Sequence, residues 1–283
     1  MNPPLRRFSV FADGHSLTIW RRQPLLPKRI VLLLHGQSWS ALPDFDLHVT
    51  RKQRSVMKAF ARRGYAAYAL DLRGYGATLR DDTGWLTPSR AANDVAITLQ
   101  WLIRRYPHLP PPALLGWSNG SLIAQLAVQR NPTLVSALIL YGYIIDPDEK
   151  YSQVHHIQEP PREANTLENA KSDFITPSAI TPDVINAFAE AALRADPTQM
   201  DWQALEEWNE LDAGKIKVPT LLIHGEFDPY TPAKSQAKLF TRIGIGDRDW
   251  IILRNSDHAA HLENSMTAFI AAVCNFIERP RNP

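Results

Sequence analysis

The 283-residue sequence predicts an α/β fold: a mostly parallel sheet of about eight strands, helices on both faces, and an inserted helical cap. Three observations carry this expectation. Short, nearly continuous apolar runs alternate with longer amphipathic stretches, the rhythm of strands buried on both faces and joined by crossover helices. The alternation stops between Gly142 and about Lys215, then resumes in the same order. Ahead of that break lies the pentapeptide Gly116-Trp117-Ser118-Asn119-Gly120, entered from the apolar run Ala113-Leu114-Leu115 and left through a helix-like run, Leu122 to Gln129.

The elements follow in order. Phe8 to Phe11 and Leu17 to Trp20 read as a hairpin turning at Asp13-Gly14. Ile30 to Leu34 is a buried strand ending in His35-Gly36-Gln37-Ser38. Val49 to Arg63 reads as a surface helix closed by Gly64, with Arg51-Lys52-Gln53-Arg54 on its solvated side. Ala66 to Leu70 is the next strand. Pro88 to Tyr106 is a helix with Val95, Leu99 and Leu102 on one face. After the pentapeptide and its helix, Val135 to Tyr141 is another strand. The segment 142–215 is rich in proline and charge, with helical patterns near Pro182 to Ala195 and Trp202 to Leu211. The strand Thr220 to His224, the helix Pro232 to Ile243, the strand Trp250 to Leu253 and a helix from His261 to Glu278 complete the chain. Residues 1–141 and 216–283 thus form the expected core, and 142–215 the cap over the carboxyl edge of its sheet.

Composition narrows the function. An apolar fraction of 45% and a charged fraction of 21% belong to a globular chain, and a net charge of +2 gives no reason to expect nucleic acid as a partner. The single cysteine, Cys274, sits in an apolar helical stretch and reads as a core thiol. No apolar run reaches membrane-spanning length, and Arg6-Arg7 is not followed by a signal-peptide core. The expectation is a cytoplasmic protein, monomer or homodimer, acting on a small molecule, with no membrane, metal or cofactor. Tandem His155-His156 has no acidic or cysteine partner at ligand spacing and reads as solvated loop.

The chemistry lies at strand ends, where open α/β sheets place ligands. A serine on a sharp strand-to-helix turn needs small neighbours, and Gly116 and Gly120 provide them. The strand ending at His224 runs into Gly225-Glu226-Phe227-Asp228-Pro229, and that ending at Leu253 into Asn255-Ser256-Asp257-His258. Acyl transfer needs a nucleophile, a base, a group orienting the base and donors to the oxyanion. One of each stands at a successive strand end, in the order Ser…Asp…His.

With Leu32-Leu33-Leu34-His35-Gly36, Asp71-Leu72-Arg73-Gly74-Tyr75-Gly76, Gly116-Trp117-Ser118-Asn119-Gly120, His224-Gly225-Glu226-Phe227-Asp228 and His258-Ala259-Ala260-His261-Leu262-Glu263, the sequence resembles the α/β-hydrolase fold superfamily of the cap-bearing type over nearly its whole length. The resemblance implies Ser118 as nucleophile, His258 as general base and acid, and Asp228 as the group orienting the imidazole. It implies the backbone N–H groups of Asn119 and Gln37 as oxyanion donors, with Ser38 a second candidate for the latter. His261 competes with His258, which alone fits the His-x4-Glu pattern through Glu263. Glu226 and Asp257 compete with Asp228. Glu263, His35, Asp71 and Arg73 read as structural.

Serine at 118 departs from the aspartate of haloalkane dehalogenases and epoxide hydrolases of this fold. A serine hydrolase acting on an ester or thioester is therefore expected. Carbon–carbon bond hydrolysis, amide hydrolysis, acyl transfer and a non-catalytic small-ligand receptor are the alternatives. Trp39, Trp117 and Tyr230 are candidate substrate-binding residues. Phe45 and the cap aromatics Phe174, Phe188, Trp202 and Trp208 either line an acyl pocket or pack cap against core.

Overall fold

The computed structural model describes residues 3–152 and 159–280, so His155-His156 lies outside the described residues. Eight strands form one sheet: β1 (Arg6–Ala12), β2 (His15–Arg22), β3 (Arg29–Leu34), β4 (Tyr65–Asp71), β5 (Ala113–Trp117), β6 (Ala137–Tyr141), β7 (Thr220–Gly225) and β8 (Arg248–Leu253). Their order across the sheet is β1-β2-β4-β3-β5-β6-β7-β8. β2 pairs antiparallel with both β1 and β4, and every later pairing is parallel. The carboxyl ends of β3, β5, β6, β7 and β8 therefore open onto one edge. The first hairpin turns where expected, with Asp13 and Gly14 both at positive φ (46° and 74°), as a two-residue hairpin of right-handed twist requires.

Helices cover both faces. Around the sheet run α1 (Ala41–Phe45), α2 (Val56–Arg62), α3 (Pro88–Arg105), α4 (Asn119–Arg130), α7 (Ala233–Arg242) and α8 (Met266–Glu278), and between β6 and β7 come α5 (Leu167–Ser172) and α6 (Pro182–Ala195). Strand alternation divides the core in two. Leu32 and Leu34 of β3 join Leu99 of α3 and Leu126 of α4, while Val31 and Leu33 join Phe60 of α2 and Phe269 of α8. The inserted segment has its own apolar cluster, in which Ala170, Ile180, Val184 and Phe188 meet Trp39, Leu47, Val49 and Leu262. Cys274 is buried in α8, and burial pushes its thiol up to about 11, away from thiolate chemistry. Among the described residues no helix is long and apolar enough to cross a membrane.

Three expectations are corrected. The helix expected over Val49–Arg63 begins only at Val56, where Ser55 Oγ accepts Lys58 N at 3.0 Å. Before it, Leu47–Val49 and Lys52–Arg54 pair antiparallel around Arg51, whose φ is 61°, so the basic tetrapeptide is part of a hairpin. The last helix starts at Met266, leaving His261 in the turns that precede it. Those turns bury His261 and Glu263, polar groups that a regular helix would not have aimed at Tyr141 and Asp257. Within the insertion, Asp201–Trp202 pairs in parallel with Trp85–Leu86, and a 3₁₀ turn over Leu205–Glu210 replaces the expected helix, after Ala204 enters the left-handed region at φ 53°.

Candidate active site

Ser118 joins β5 to α4 with φ 54° and ψ −122°. A non-glycine residue there costs on the order of 1–3 kcal/mol and persists only where its surroundings enforce it. The neighbouring hydrogen bonds do so. Ser118 N donates to Tyr141 O at 2.9 Å, prolonging the sheet, while Ser121 N and Oγ donate to Ser118 O at 2.9 and 2.6 Å. Both glycines are sterically required. A Cβ on Gly116 would lie 2.1 Å from Gly120 O, and one on Gly120 would lie 2.4 Å from His35 O. The turn lifts Ser118 into a cavity of about 590 Å³, which it lines together with Gln37, Trp39, Trp117, Tyr230 and His258.

His258 lies in the loop after β8, and its Nδ1 is 2.9 Å from Oδ2 of Asp228, which follows β7. Both side chains are buried. A carboxylate only accepts, so Nδ1 carries the proton and Nε2 is the basic nitrogen. Asp228 Oδ1 accepts the N–H of Tyr230 at 3.0 Å, which fixes the carboxylate. The histidine backbone is held too. Its carbonyl accepts Trp117 Nε1 at 2.8 Å and Tyr141 Oη at 2.9 Å. The imidazole packs against Trp117 and Tyr230, with ring centroids 5.3 and 4.9 Å away. A Cβ at Gly142, whose φ is +59°, would come within 3.1 Å of His258 Cε1, so the close approach needs glycine there.

The loop after β3 is braced from below. Leu72 N donates to His35 Nε2 at 3.2 Å, so His35 Nδ1 holds the proton and donates to Gly36 O at 2.8 Å. Burial pushes that imidazole down to about 4, which keeps it neutral. Gly36 N donates to Asp44 Oδ2 at 3.3 Å, and burial raises the Asp44 carboxyl well above its usual range. Gln37 O accepts the hydroxyl of Tyr75, which in turn accepts Trp202 Nε1 at 2.9 Å. Asn119 is the first residue of α4, where backbone N–H groups have no acceptor within the helix.

The competing residues fall elsewhere. Glu226 is exposed and accepts Asn255 N at 3.0 Å. The carboxylate of Asp257 is turned to the insertion, where Oδ2 accepts Ile175 N at 3.1 Å and Thr176 N at 2.6 Å. His261 is buried against Tyr141, its Nδ1 3.1 Å from the hydroxyl, and Glu263 Oε2 accepts Asp257 N at 3.1 Å. Asp71 accepts Ala41 N, Ala77 N and Trp20 Nε1, and Arg73 grips Asp94 through two bonds, both structural duties. Phe45, Phe174, Phe188, Trp202 and Trp208 do not line the cavity. They pack inside: Phe174 and Trp39 edge against Phe188, and Trp202 lies on Trp208. Sequence reasoning missed Tyr143, Asp173 and Gln236, which do line it. None belongs to a motif, and only the packing of the insertion brings Asp173 to the site.

Comparison with known proteins agrees with this architecture. The chain is 23% identical over 217 residues to the mouse serine hydrolase BPHL, an overlap of 71% of this chain that spans 64% of the length of that protein. It is 27% identical over 230 residues to a pimeloyl-[acyl-carrier protein] methyl ester esterase of Neisseria meningitidis, covering 74% of this chain and 81% of that one. Among solved structures, the CarC serine hydrolase involved in carbazole degradation superposes with a TM-score of 0.67 at 20% identity, over 97% of this chain and 99% of that one. The family model described as serine aminopeptidase, S33, matches residues 26–265, and the chain belongs to that family of α/β-hydrolase-fold serine hydrolases.

Proposed function

We propose that this serine hydrolase cleaves a carboxylic ester or thioester of a small to medium substrate through an acyl-enzyme on Ser118. The observation that carries the reading is the 2.9 Å bond between His258 Nδ1 and Asp228 Oδ2, at the wall of the cavity that Ser118 enters. His258 Nε2 takes the proton of Ser118 Oγ as the oxygen attacks the carbonyl carbon. The imidazolium is stabilised by Asp228 and then protonates the leaving alcohol or thiol. A water molecule deprotonated by the same nitrogen attacks the acyl-enzyme, releasing the acid and restoring Ser118. The N–H groups of Gln37 and Asn119 hold the oxyanion; loss of one such donor typically lowers turnover about 10²–10³-fold. Trp39, Trp117 and Tyr230 position the substrate. An ester is favoured because the Neisseria relatives are named for ester cleavage.

The test is hydrolysis of p-nitrophenyl esters from acetate to decanoate, with Ser118→Ala in parallel and fluorophosphonate labelling of both proteins. Turnover and labelling that disappear together in Ser118→Ala support the proposal. Turnover that survives the substitution overturns the role of Ser118. Labelling without turnover of any ester moves the reaction to another acyl or carbon–carbon bond.

A further inference from the structure

In the proposed mechanism Gln37 turns its N–H toward the oxyanion, and the carbonyls of the two peptides that meet at Gln37 are both held. Gly36 O accepts His35 Nδ1 at 2.8 Å, a bond made within the core. Gln37 O accepts the hydroxyl of Tyr75, from the loop after β4. Tyr75 is 1% exposed, and its ring lies against that of His35 with centroids 4.5 Å apart. Peptides are planar, so holding both carbonyls sets both planes and with them the direction of the Gln37 N–H. The second hold depends on the insertion. Trp202 Nε1 lies 2.9 Å from Tyr75 Oη. An indole N–H only donates, so the tyrosine oxygen accepts it and directs its own single proton to Gln37 O. Each bond in such a chain polarises the next and strengthens it. The same two core loops are clamped again from the insertion. Asp196, 4% exposed at the end of α6, accepts Ser40 N on Oδ2 at 2.9 Å and Gly76 N on Oδ1 at 2.7 Å. The far end of the 36–40 loop is thereby fixed to the residue that follows Tyr75.

Neither Tyr75 nor Trp202 lines the cavity, so any part they take in turnover runs through the loop they hold. We infer that Tyr75 and Trp202 are positioning residues for the oxyanion: an indole N–H of the insertion, acting through a phenol of the core, aligns the N–H of Gln37. The inference rests on the serine hydrolase reading above and identifies what sets one of its two oxyanion donors.

Tyr75→Phe and Trp202→Phe remove the hydroxyl and the indole N–H and keep an aromatic ring at each place. Each should lower kcat for p-nitrophenyl esters by about tenfold to a hundredfold, as misplacing a catalytic group by about 1 Å does, with KM within about twofold of wild type. The second readout sets a trifluoromethyl ketone against the methyl ketone of equal chain length. Ser118 Oγ adds to the fluorinated carbonyl as His258 takes its proton, and the carbonyl π pair moves to oxygen, leaving a bound oxyanion. The methyl ketone stays a ketone. Affinity for the first should fall in each variant by the factor lost in kcat, and affinity for the second should not change. Because Trp202 acts through Tyr75, the double variant should match Tyr75→Phe within about twofold. Lys52→Met is the control. It cuts a tie of the insertion to the core at Thr181 and Asp183, away from the loop, and should leave kcat and both affinities at wild-type values. An unchanged kcat, a loss shared by both ketones, losses that multiply in the double variant, or an equal loss in Lys52→Met overturns the inference and leaves ester cleavage standing. Wild-type protein that takes up the trifluoromethyl ketone and hydrolyses no ester removes the ester reading, and the ketone pair still decides the inference. Wild-type protein that binds neither ketone and cleaves no ester overturns both.

Discussion

The carboxylate of Asp257 accepts the backbone N–H of Thr176 at 2.6 Å, joining the residue before His258 directly to the inserted segment. Ile175 N reaches the same oxygen at 3.1 Å, and Asn264 N donates to Ala179 O at 2.8 Å a little further along both strands of chain. The loop that carries the candidate base is thereby a seat for the segment that closes the cavity. Asp257→Ala leaves three backbone donors, Ile175 N, Thr176 N and Ala259 N, without their acceptor, and each such loss costs about 1–3 kcal/mol where water does not replace it. Urea denaturation should show a loss of at least about 1–3 kcal/mol. Ester hydrolysis should fall with it, because His258 is the next residue; an unchanged kcat with an unchanged midpoint would show the joint to be idle.

Beneath Asp257 lies Glu263, fully buried, with Oε2 accepting Asp257 N and Oε1 without a hydrogen-bond partner among the described residues. Burial, reinforced by Asp257, pushes its carboxyl up to about 9 from 4.5. A carboxyl raised in the folded state contributes stability that is complete below pH 4.5 and is lost as pH climbs toward 9. Gln at this position keeps an acceptor and a donor but does not titrate. Glu263→Gln should therefore gain on the wild type by about 1.4 kcal/mol per pH unit across that window at most. Denaturation midpoints at pH 5, 7 and 8.5 measure it, and curves that stay parallel would contradict the shift.

Much of the sheet and the Ser118, Asp228 and His258 placements were legible because each rests on a local cause. Strands buried on both faces must be apolar throughout, and Gly116 and Gly120 stand on either side of Ser118 where an added Cβ would lie under 2.5 Å from a backbone oxygen. Asp173 and Gln236 were not legible. Neither the end of a six-residue helix nor a glutamine on α7 has any local signature, and only the packing of 142–215 decides what faces the cavity. The hairpin over Leu47–Arg54 was misread because its second strand is wholly polar, so alternation gave no signal against a solvated helix.

The two elbow glycines make a stability prediction independent of chemistry. Gly120→Ala places a Cβ 2.4 Å from His35 O and 2.6 Å from Leu34 O, both backbone atoms that can yield only if β3 separates from α4. Overpacking of this kind costs typically about 1–3 kcal/mol, and more where backbone must move. Gly246→Ala is the control, since nothing lies within 4 Å of a Cβ there. Soluble yield and thermal midpoint should separate the two variants clearly.

Asp228→Asn isolates the tautomer of His258. Its amide can present N–H to Nδ1, which would put the imidazole proton on Nε2 and remove the base; the same change in a serine protease triad lowers kcat by about 10⁴. A comparable loss is expected here with Ser118 still reactive to fluorophosphonate at a reduced rate. A variant with near wild-type turnover would transfer the orienting role to another acid, and the exposed Glu226 and cap-bound Asp257 are poorly placed to take it.

Chain-length preference should follow the cavity wall and not the aromatic content of the insertion. Phe188 is buried between Trp39 and Phe174, and Trp202 is tied by Nε1 to Tyr75, which holds Gln37 O. Trimming Phe188 to Leu should lower the denaturation midpoint and depress all esters alike, as removal of a buried ring typically does at a cost of a few kcal/mol at most. Tyr230 is 48% exposed and stands over His258 at the cavity, so Tyr230→Ala should leave stability nearly unchanged. It enlarges the space beside the imidazole, so the optimum among p-nitrophenyl esters should move to longer acyl chains. A longer optimum in Phe188→Leu with none in Tyr230→Ala would place the acyl group on the other side of Trp39, toward the interior of the insertion.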